Sequence, residues 1–514
     1  MDSGVLINIL NKLDIEVQYQ QDDLVIKDKH NNLDADLIDL VKVNKKNLLE
    51  HLRLDHLKPK LVAPHSKATE EQDFFPLSHA QKRLWLIEQI GDTHGVYNIS
   101  SVYDFQDIDI SLFEKALNQL LIRHEILRTI FVPIYGEPKQ VICSLEKFKM
   151  SFTDLSSASD IRGEFVTIKA KEKYQDFDLS KAPLTKSHLV KLDESRYKFI
   201  FTVHHIISDA WSMRNIEREF FQLYSYLTEG QQADLPILPF QYKDYTCDQL
   251  NSLSNGRISK ESSFWLSKFK EGVPVLALPI DKKRPSKKTY NGGEQTFFVK
   301  ERLTKRIKEK CLQHNCSTFM LLLATTNTLL YKYTNQTDIV IGIPSSGRND
   351  LDLSNQVGFY VNTLLISTSF SEEKSFNDLL LSVRGETLSA YDNQLFPFDL
   401  LVEELNQKRD LSRSPLFDVM AVMEETDEEL YLEESTSTDF VFKKVDTNNV
   451  SKFDLTFTFV AFKNGVEVTV NYNTDLFHST TIDRLLNHFT ALLTTVLDQG
   501  DVSLKDLDYL GEGE

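Results

Sequence analysis

Residues 198–212 read Lys198-Phe199-Ile200-Phe201-Thr202-Val203-His204-His205-Ile206-Ile207-Ser208-Asp209-Ala210-Trp211-Ser212. From Tyr197 to Val203 aromatic and β-branched residues predict a strand, and its apolar run stops at the two histidines. A histidine pair at a strand end, with an acid shortly after it, admits a metal site, a catalytic imidazole or a pair of core histidines. Neighbouring strand side chains point to opposite faces, so His204 and His205 are poor joint ligands for one ion. No second ligand cluster accompanies them, and no metal site is expected. Catalysis and a hydrogen-bonded core pair both stay open on this stretch alone.

Outward from the strand, helical patterns such as Leu112 to Arg123 alternate with further strands, which predicts an α/β or α+β body. The loop Asp281 to Asn291, rich in Lys and containing Pro, precedes a second strand and helix series beginning near Gly293. The body therefore divides into a lobe over 74–250 and a lobe over 251–514. Ahead of it, 54–73 lapses into Lys, Pro, His, Ser and Glu, the composition of a linker.

Residues 1–53 read as a unit of their own. Val5, Leu6, Ile9, Leu10 and Leu13 line one face of a short helix. Ile15, Val17 and Tyr19 alternate with polar residues, Gln20 to Asp23 turn the chain, and Leu24, Val25, Ile26 and Lys27 supply a second strand, so a hairpin is expected. Asn32 then caps a helix striped by Leu33, Leu37, Leu40, Val41, Leu48, Leu49 and Leu52.

The 514 residues, 41% of them hydrophobic, supply enough apolar material for more than one core. A net charge of -18 argues against nucleic-acid binding, which requires a concentrated basic face. No apolar stretch is long enough to span a bilayer and the Met1 region lacks the form of a secretory signal, so no membrane partner and a cytoplasmic location are expected. Cys143, Cys247, Cys311 and Cys316 form no CxxC pair and read as reduced and mostly buried. Trp85 and Trp211 read as core.

The stretch His204 to Ser212 resembles the HHxxxDG signature of nonribosomal peptide synthetase condensation domains, and other segments resemble that family's remaining motifs in the family's order. Leu77-Ser78-His79-Ala80-Gln81-Lys82-Arg83-Leu84-Trp85 is similar to the opening SxAQxRLW motif, and Arg123-His124-Glu125-Ile126-Leu127-Arg128-Thr129-Ile130-Phe131 to RHExLRTxF. Phe177-Asp178-Leu179-Ser180 followed by Ala182-Pro183-Leu184, and Tyr242-Lys243-Asp244-Tyr245, match further family phrases. Ile341-Gly342-Ile343-Pro344, Gly347-Arg348 and Val357 to Thr363 resemble the long second-lobe motif. Phe396-Pro397-Phe398-Asp399 and Arg409 to Phe417 resemble the last two. The resemblance covers about residues 74–508.

The resemblance implies two chloramphenicol-acetyltransferase-like lobes in a V, with a tunnel between them and donor and acceptor entering from opposite faces. His205 would face the tunnel and orient or deprotonate the amine that attacks the donor thioester, for which an ordinary imidazole pKa of about 6.5 suits neutral pH. His204 would point into the surrounding structure. Asp209 would pair with Arg348 in an architectural clasp. Ser212 and Asn362 fall at motif positions open either to substrate contact or to a structural role. One departure stands out: the family usually has Gly where this chain has Ala210. An oxyanion role for its N–H survives if the local φ is negative, whereas a positive φ would carry about 1 kcal/mol of strain.

Retention of both histidines disfavours a heterocyclisation domain, and the strings at Arg123 to Phe131 and Arg409 to Phe417 favour condensation over epimerisation. A silent recruitment domain is the alternative from a different class. Residues 1–53 look like the family's N-terminal docking domains, whose hairpin takes the C-terminal tail of an upstream synthetase subunit as an added strand. The expected partners are that subunit, a donor carrier protein whose phosphopantetheine arm enters the tunnel, and an amine, free or carrier-bound; no cofactor bound by the chain itself is expected. With no adenylation or carrier domain following, the reading leans towards a terminal enzyme that releases the peptide with a free amine, the alternative being a fragment of an elongating subunit.

Overall fold

The structure, a computed structural model, describes residues 15–20, 23–28, 41–42, 45, 74–90, 93, 95–144, 147–230, 233–408, 410–426, 440–443 and 450–510. Two compact units are distinguished, Met1–His65 with Asn349–Leu351, and Ser66–Arg348 with Asp352–Glu514.

In the first unit, strands β1 (Ile15–Gln20) and β2 (Asp23–Asp28) pair antiparallel. Ile15, Val17 and Tyr19 stand opposite Asp28, Ile26 and Leu24, while Val25 and Lys27 face Gln18 and Glu16. Among the described residues no third strand joins this sheet. Val41, Lys42 and Lys45 are helical. The rest of the two expected flanking helices and the 54–73 linker lie outside the described residues.

The second unit opens with β3 (Phe75–Pro76) and α1 (His79–Ile90), then β4 (Asn98–Gln106), α2 (Ile110–Arg123), β5 (Thr129–Ile134), β6 (Glu137–Ile142), β7 (Ser151–Asp154) and α3 (Ile161–Tyr174). It continues through β8 (Thr185–Lys191), β9 (Arg196–His204), α4 (Ala210–Glu229), α5 (Tyr242–Ser254) and α6 (Ser259–Lys268). One sheet runs β4-β9-β8-β7 and a smaller one β3-β6-β5. Strand β9 is apolar at consecutive positions because both its faces are covered. Phe199 packs 4.9 Å from Phe113 of α2, which sits 4.7 Å from Phe220 of α4. On the other face Ile200 joins Leu155 and Val190, with Phe165 of α3 against them. The lobe boundary expected at 250/251 falls inside α5, which runs on to Ser254. A capping box at Gln241 and Asp244 starts that helix.

The remaining elements are β10 (Gly292–Val299), α7 (Glu301–Gln313), α8 (Thr318–Thr334), β11 (Asp338–Ser345), β12 (Asn362–Ser369), α9 (Phe376–Asp392), α10 (Phe398–Leu405), β13 (Val419–Glu425), β14 (Phe440–Lys443), β15 (Leu455–Ala461), β16 (Val466–Asn473) and α11 (Ser479–Asp498). They build a mixed sheet ordered β12-β11-β13-β15-β16-β10-β14. Helix α8 is buried on every side from Phe319 to Tyr331. Its polar residues are tolerated because Thr325, Thr326, Asn327 and Thr328 each donate to the carbonyl four residues back.

No helix among the described residues is long and apolar enough to cross a membrane. Two sequence expectations are corrected. Of the four cysteines only Cys311 is buried, the others being partly exposed. Trp211 is 38% exposed rather than core, because its indole lies across a loop and donates from Nε1 to Ser354 O at 2.8 Å. Trp85 is likewise only half-buried.

Candidate active site

Strand β9 ends on His204, and the chain turns through one 3-10 turn, His205–Ile207, before Asp209 caps α4. The turn is pinned from two sides. His205 N donates to Tyr97 O at 2.7 Å, and Gln81 Nε2 of α1 donates to Ile206 O at 3.1 Å. Gln81 is itself fixed by Ser78, whose hydroxyl accepts from Gln81 N at 3.1 Å.

The turn gives the two imidazoles different tautomers. His204 Nδ1 accepts from Ile206 N at 3.1 Å, so its proton is on Nε2, which donates to Glu88 Oε1 at 3.4 Å. His204 is 3% exposed, with both ring nitrogens engaged. His205 is reversed: its Nδ1 lies 2.7 Å from Ser208 O, and a carbonyl can only accept, so Nδ1 carries the proton and Nε2 the free lone pair. The residue is partly exposed, and its ring sits 4.7 Å from that of Phe359. Burial first, and the Lys452 ammonium second, push His205 down to about 3. The imidazole is thus neutral at pH 7, held there by desolvation and a neighbouring cation that the local sequence does not reveal.

Asp209 is fully buried and bonded at both oxygens. Oδ1 accepts from Ser212 N at 2.7 Å and meets Arg348 Nη2 at 3.2 Å, while Oδ2 accepts from Tyr360 N at 3.0 Å. The Arg348 side chain is 1% exposed. It also donates to Gln356 O at 2.9 Å and Ser212 Oγ at 2.7 Å, and stacks 4.2 Å from the Tyr360 ring. Ala210, exposed, is the first residue of α4 and takes helical dihedrals, so Ala is accommodated without left-handed strain.

Ser212 and Asn362 have no polar capacity left for a ligand. The Ser212 hydroxyl donates to Gly358 O at 2.8 Å and accepts from Gly358 N at 3.1 Å and from Arg348. A Cβ on Gly358 would come within 2.0 Å of Tyr242, so only glycine permits this approach. Asn362 Nδ2 donates to Gln394 O and Phe396 O, both at 2.8 Å, and Oδ1 accepts from Thr363 N and Phe398 N, both at 2.9 Å. Of the two roles open in the sequence, the hydrogen bonds fit the structural one.

An opening of about 410 Å³ that Phe359 helps to line is bounded also by Ser78, Tyr245, Asn362 and Asp399. Several residues that shape the site escaped the sequence reading. Glu88, Tyr97, Lys288 and Lys452 lie in none of the motifs, and no local pattern marks them. Phe359 lies inside a motif, yet only packing reveals that it faces His205. Among the described residues no cluster of His, Cys, Asp or Glu has the arrangement of a metal site.

The profile of the family described as "Condensation domain" matches residues 71–514. The chain belongs to the condensation-domain family. Its relatives in that family are amide-bond-forming, acyltransferase-type enzymes of nonribosomal peptide synthesis. The chain is 37% identical over 451 residues to bacitracin synthase 1 of Bacillus licheniformis, covering 87% of this chain and 8% of that synthase. It is 35% identical over 445 residues to tyrocidine synthase 3 of Brevibacillus parabrevis, covering 86% of this chain and 7% of that synthase. The chain therefore spans less than a tenth of the length of either. Among solved structures, a four-domain nonribosomal peptide synthetase bound to AMP and glycine aligns with a TM-score of 0.76 at 21% identity, over 86% of this chain and 34% of that one. The X-domain from teicoplanin biosynthesis, in complex with OxyB, aligns with a TM-score of 0.75 at 23% identity, over 87% and 98%. At these identities the structures show the fold alone.

Proposed function

We propose that this condensation domain joins a carrier-bound acyl or peptidyl thioester to an amine, with His205 as the residue that manages the amine proton. The observation that carries the reading is the 2.7 Å contact of His205 Nδ1 with Ser208 O, which leaves Nε2 as an unprotonated acceptor. The amine lone pair attacks the thioester carbonyl as Nε2 accepts a hydrogen bond from its N–H, which fixes the direction of attack. An imidazole pushed down to about 3 is a weak base towards a neutral amine. Once the C–N bond forms, however, the nitrogen becomes cationic and far more acidic, and its proton can pass to Nε2. Collapse of the adduct then breaks the C–S bond, and the departing sulfur takes a proton to leave as a thiol. The Ala210 N–H, one of the unpaired donors of the first turn of α4, is the group offered to the carbonyl oxygen as it gains charge.

The donor arrives on the phosphopantetheine arm of a carrier protein. The hairpin of β1 and β2 serves as the docking edge for the tail of an upstream subunit, a role supported by its lack of a third strand among the described residues. The acceptor is an amine, and release as a free-amine amide is the terminal form of the reaction. The parent chain and His205→Ala are incubated with an acyl-loaded carrier and with amines presented either free or on a second carrier, and products are identified by mass. Amide from the parent and none from a folded His205→Ala supports the reading. Turnover largely retained by the variant would refute it, and product only from carrier-bound amines would exclude the terminal form.

A further inference from the structure

Next to His205 the structure gathers cations, and two of them, Lys288 and Lys452, are left without a carboxylate partner among the described residues. Arg83 pairs with Asp399 at 3.1 Å, Arg284 with Asp454, and Arg413 with Asp418 and, at 3.8 Å, with Asp410. Glu88 is occupied by His204 and by Thr93, whose hydroxyl donates to it at 2.8 Å. Among the described residues no carboxylate comes within ion-pair distance of Lys288 or Lys452. Among the described residues the group to which Lys288 donates is neutral, Ser414 Oγ, although Asp454 and Asp418 lie close enough to favour its charge. Arg83 acts on Lys452 repulsively, and Lys452 acts on Lys288 in the same sense.

The two ammonium groups flank one aromatic platform. The Tyr97 and Tyr290 side chains lie close enough for each phenol to act on the other. Lys452 Nζ stands 5.0 Å from the Tyr97 ring, and Lys288 Nζ stands 5.4 Å from the Tyr290 ring and 5.2 Å from that of Phe453. The backbone holds the halves in register, since Ser451 N donates to Tyr290 O at 2.9 Å and Asn291 bridges Val450. The same Tyr97 accepts the His205 N–H through its carbonyl, so the platform adjoins the catalytic turn. Ring faces give each ammonium less than the hydration it loses on burial, and a bound anion would make up the difference. Burial accordingly pushes both lysines down to about 8.

We propose that Lys288 and Lys452, over the Tyr97–Tyr290 pair, form a subsite for a carboxylate carried by the substrate close to the reacting carbon. The inference rests on the amide-forming reading above. The carboxylate has two possible sources, an acidic side chain at the end of the donor acyl group or the carboxyl group of a free amino acid acting as acceptor. The phosphate of the carrier arm is not a third, because the arm itself separates it from the thioester.

Equilibrium calorimetry on the full chain tests the subsite whether or not amide forms. The donor arm compares N-acetylglutamyl pantetheine amide with its glutaminyl counterpart, and the acceptor arm compares free phenylalanine with phenylalanine amide. In one of the pairs the carboxylate member should bind about tenfold more tightly or better, and that pair identifies the source. Lys452→Gln and Lys288→Gln should each erase the difference, and Lys452→Arg, which keeps the charge, should retain much of it. On the parent chain alone, raising salt from about 0.05 to about 0.5 M should shrink the preference. Equal binding within both pairs, or a preference that survives both glutamine substitutions, overturns the subsite. His205→Ala separates the two claims: it should keep the carboxylate preference while losing amide formation. A parent chain that makes amides without any carboxylate preference would refute the subsite and leave the amide-forming reading standing.

Discussion

Arg348 Nη2 lies 3.2 Å from Asp209 Oδ1, the side chains 1% and 0% exposed, so a guanidinium preceding the loop to β12 is locked onto the cap of α4. Removing either partner leaves the other charge buried and unmatched, at a cost of about 3–5 kcal/mol. Each single alanine variant should therefore melt well below the parent. The double variant should lose at least about 1 kcal/mol less than the sum of the singles. Strict additivity in a denaturation cycle would show that the pair is not energetically coupled.

The His205 environment makes a pH prediction of definite sign. Because burial and Lys452 push its imidazole down to about 3, with His204 a smaller repulsive neighbour, Nε2 keeps its lone pair through mildly acidic conditions. Between pH 8 and 5 the kcat/KM profile should show no acid limb from this residue. A limb centred near 6.5 that disappears in His205→Ala would contradict the desolvated site. The same depression acts on stability: the unfolded histidine takes up a proton below about 6.5 that the folded one refuses, so stability contributed by the neutral group is lost as pH falls.

Asn362→Ala should destabilise without a specific effect on substrate affinity. The substitution strips hydrogen bonds from Gln394 O, Phe396 O and Phe398 N, each about 1–3 kcal/mol if left unmet. The expected result is a lowered Tm with KM nearly unchanged in the fraction that remains folded. Parent-like melting with a severalfold higher KM would reassign Asn362 to substrate contact.

For the hairpin, Val17→Pro and Val25→Pro each remove one backbone donor from β1 or β2. In the full chain, binding of a synthetic peptide copying the tail of the preceding subunit should weaken at least about tenfold in one of the two. Unchanged affinity in both would argue against strand addition.

Much of the frame was legible in the residues themselves. The run Tyr197 to Val203 marked β9, the Leu112 to Arg123 stripe marked most of α2, and Ile15 to Lys27 marked the β1–β2 hairpin. These signals are local: side-chain periodicity and turn chemistry are written in a few consecutive residues. Composition also signalled a new strand near Gly293, where β10 begins at Gly292. Residue 250 lies within α5, a helix whose polar surface carries the same residue types as a loop.

The order of the elements and the short list of residues at the end of β9 were thus written in the chain, whereas what those residues can do was settled by folding. Packing set opposite tautomers on adjacent histidines through Ile206 N and Ser208 O, closed the polar valences of Ser212 and Asn362, and turned Trp211 outward. It also brought Lys452 beside His205. Tautomer, hydrogen-bond saturation and electrostatic environment depend on atoms supplied by distant parts of the chain and on the exclusion of water, and neither exists until the chain has folded.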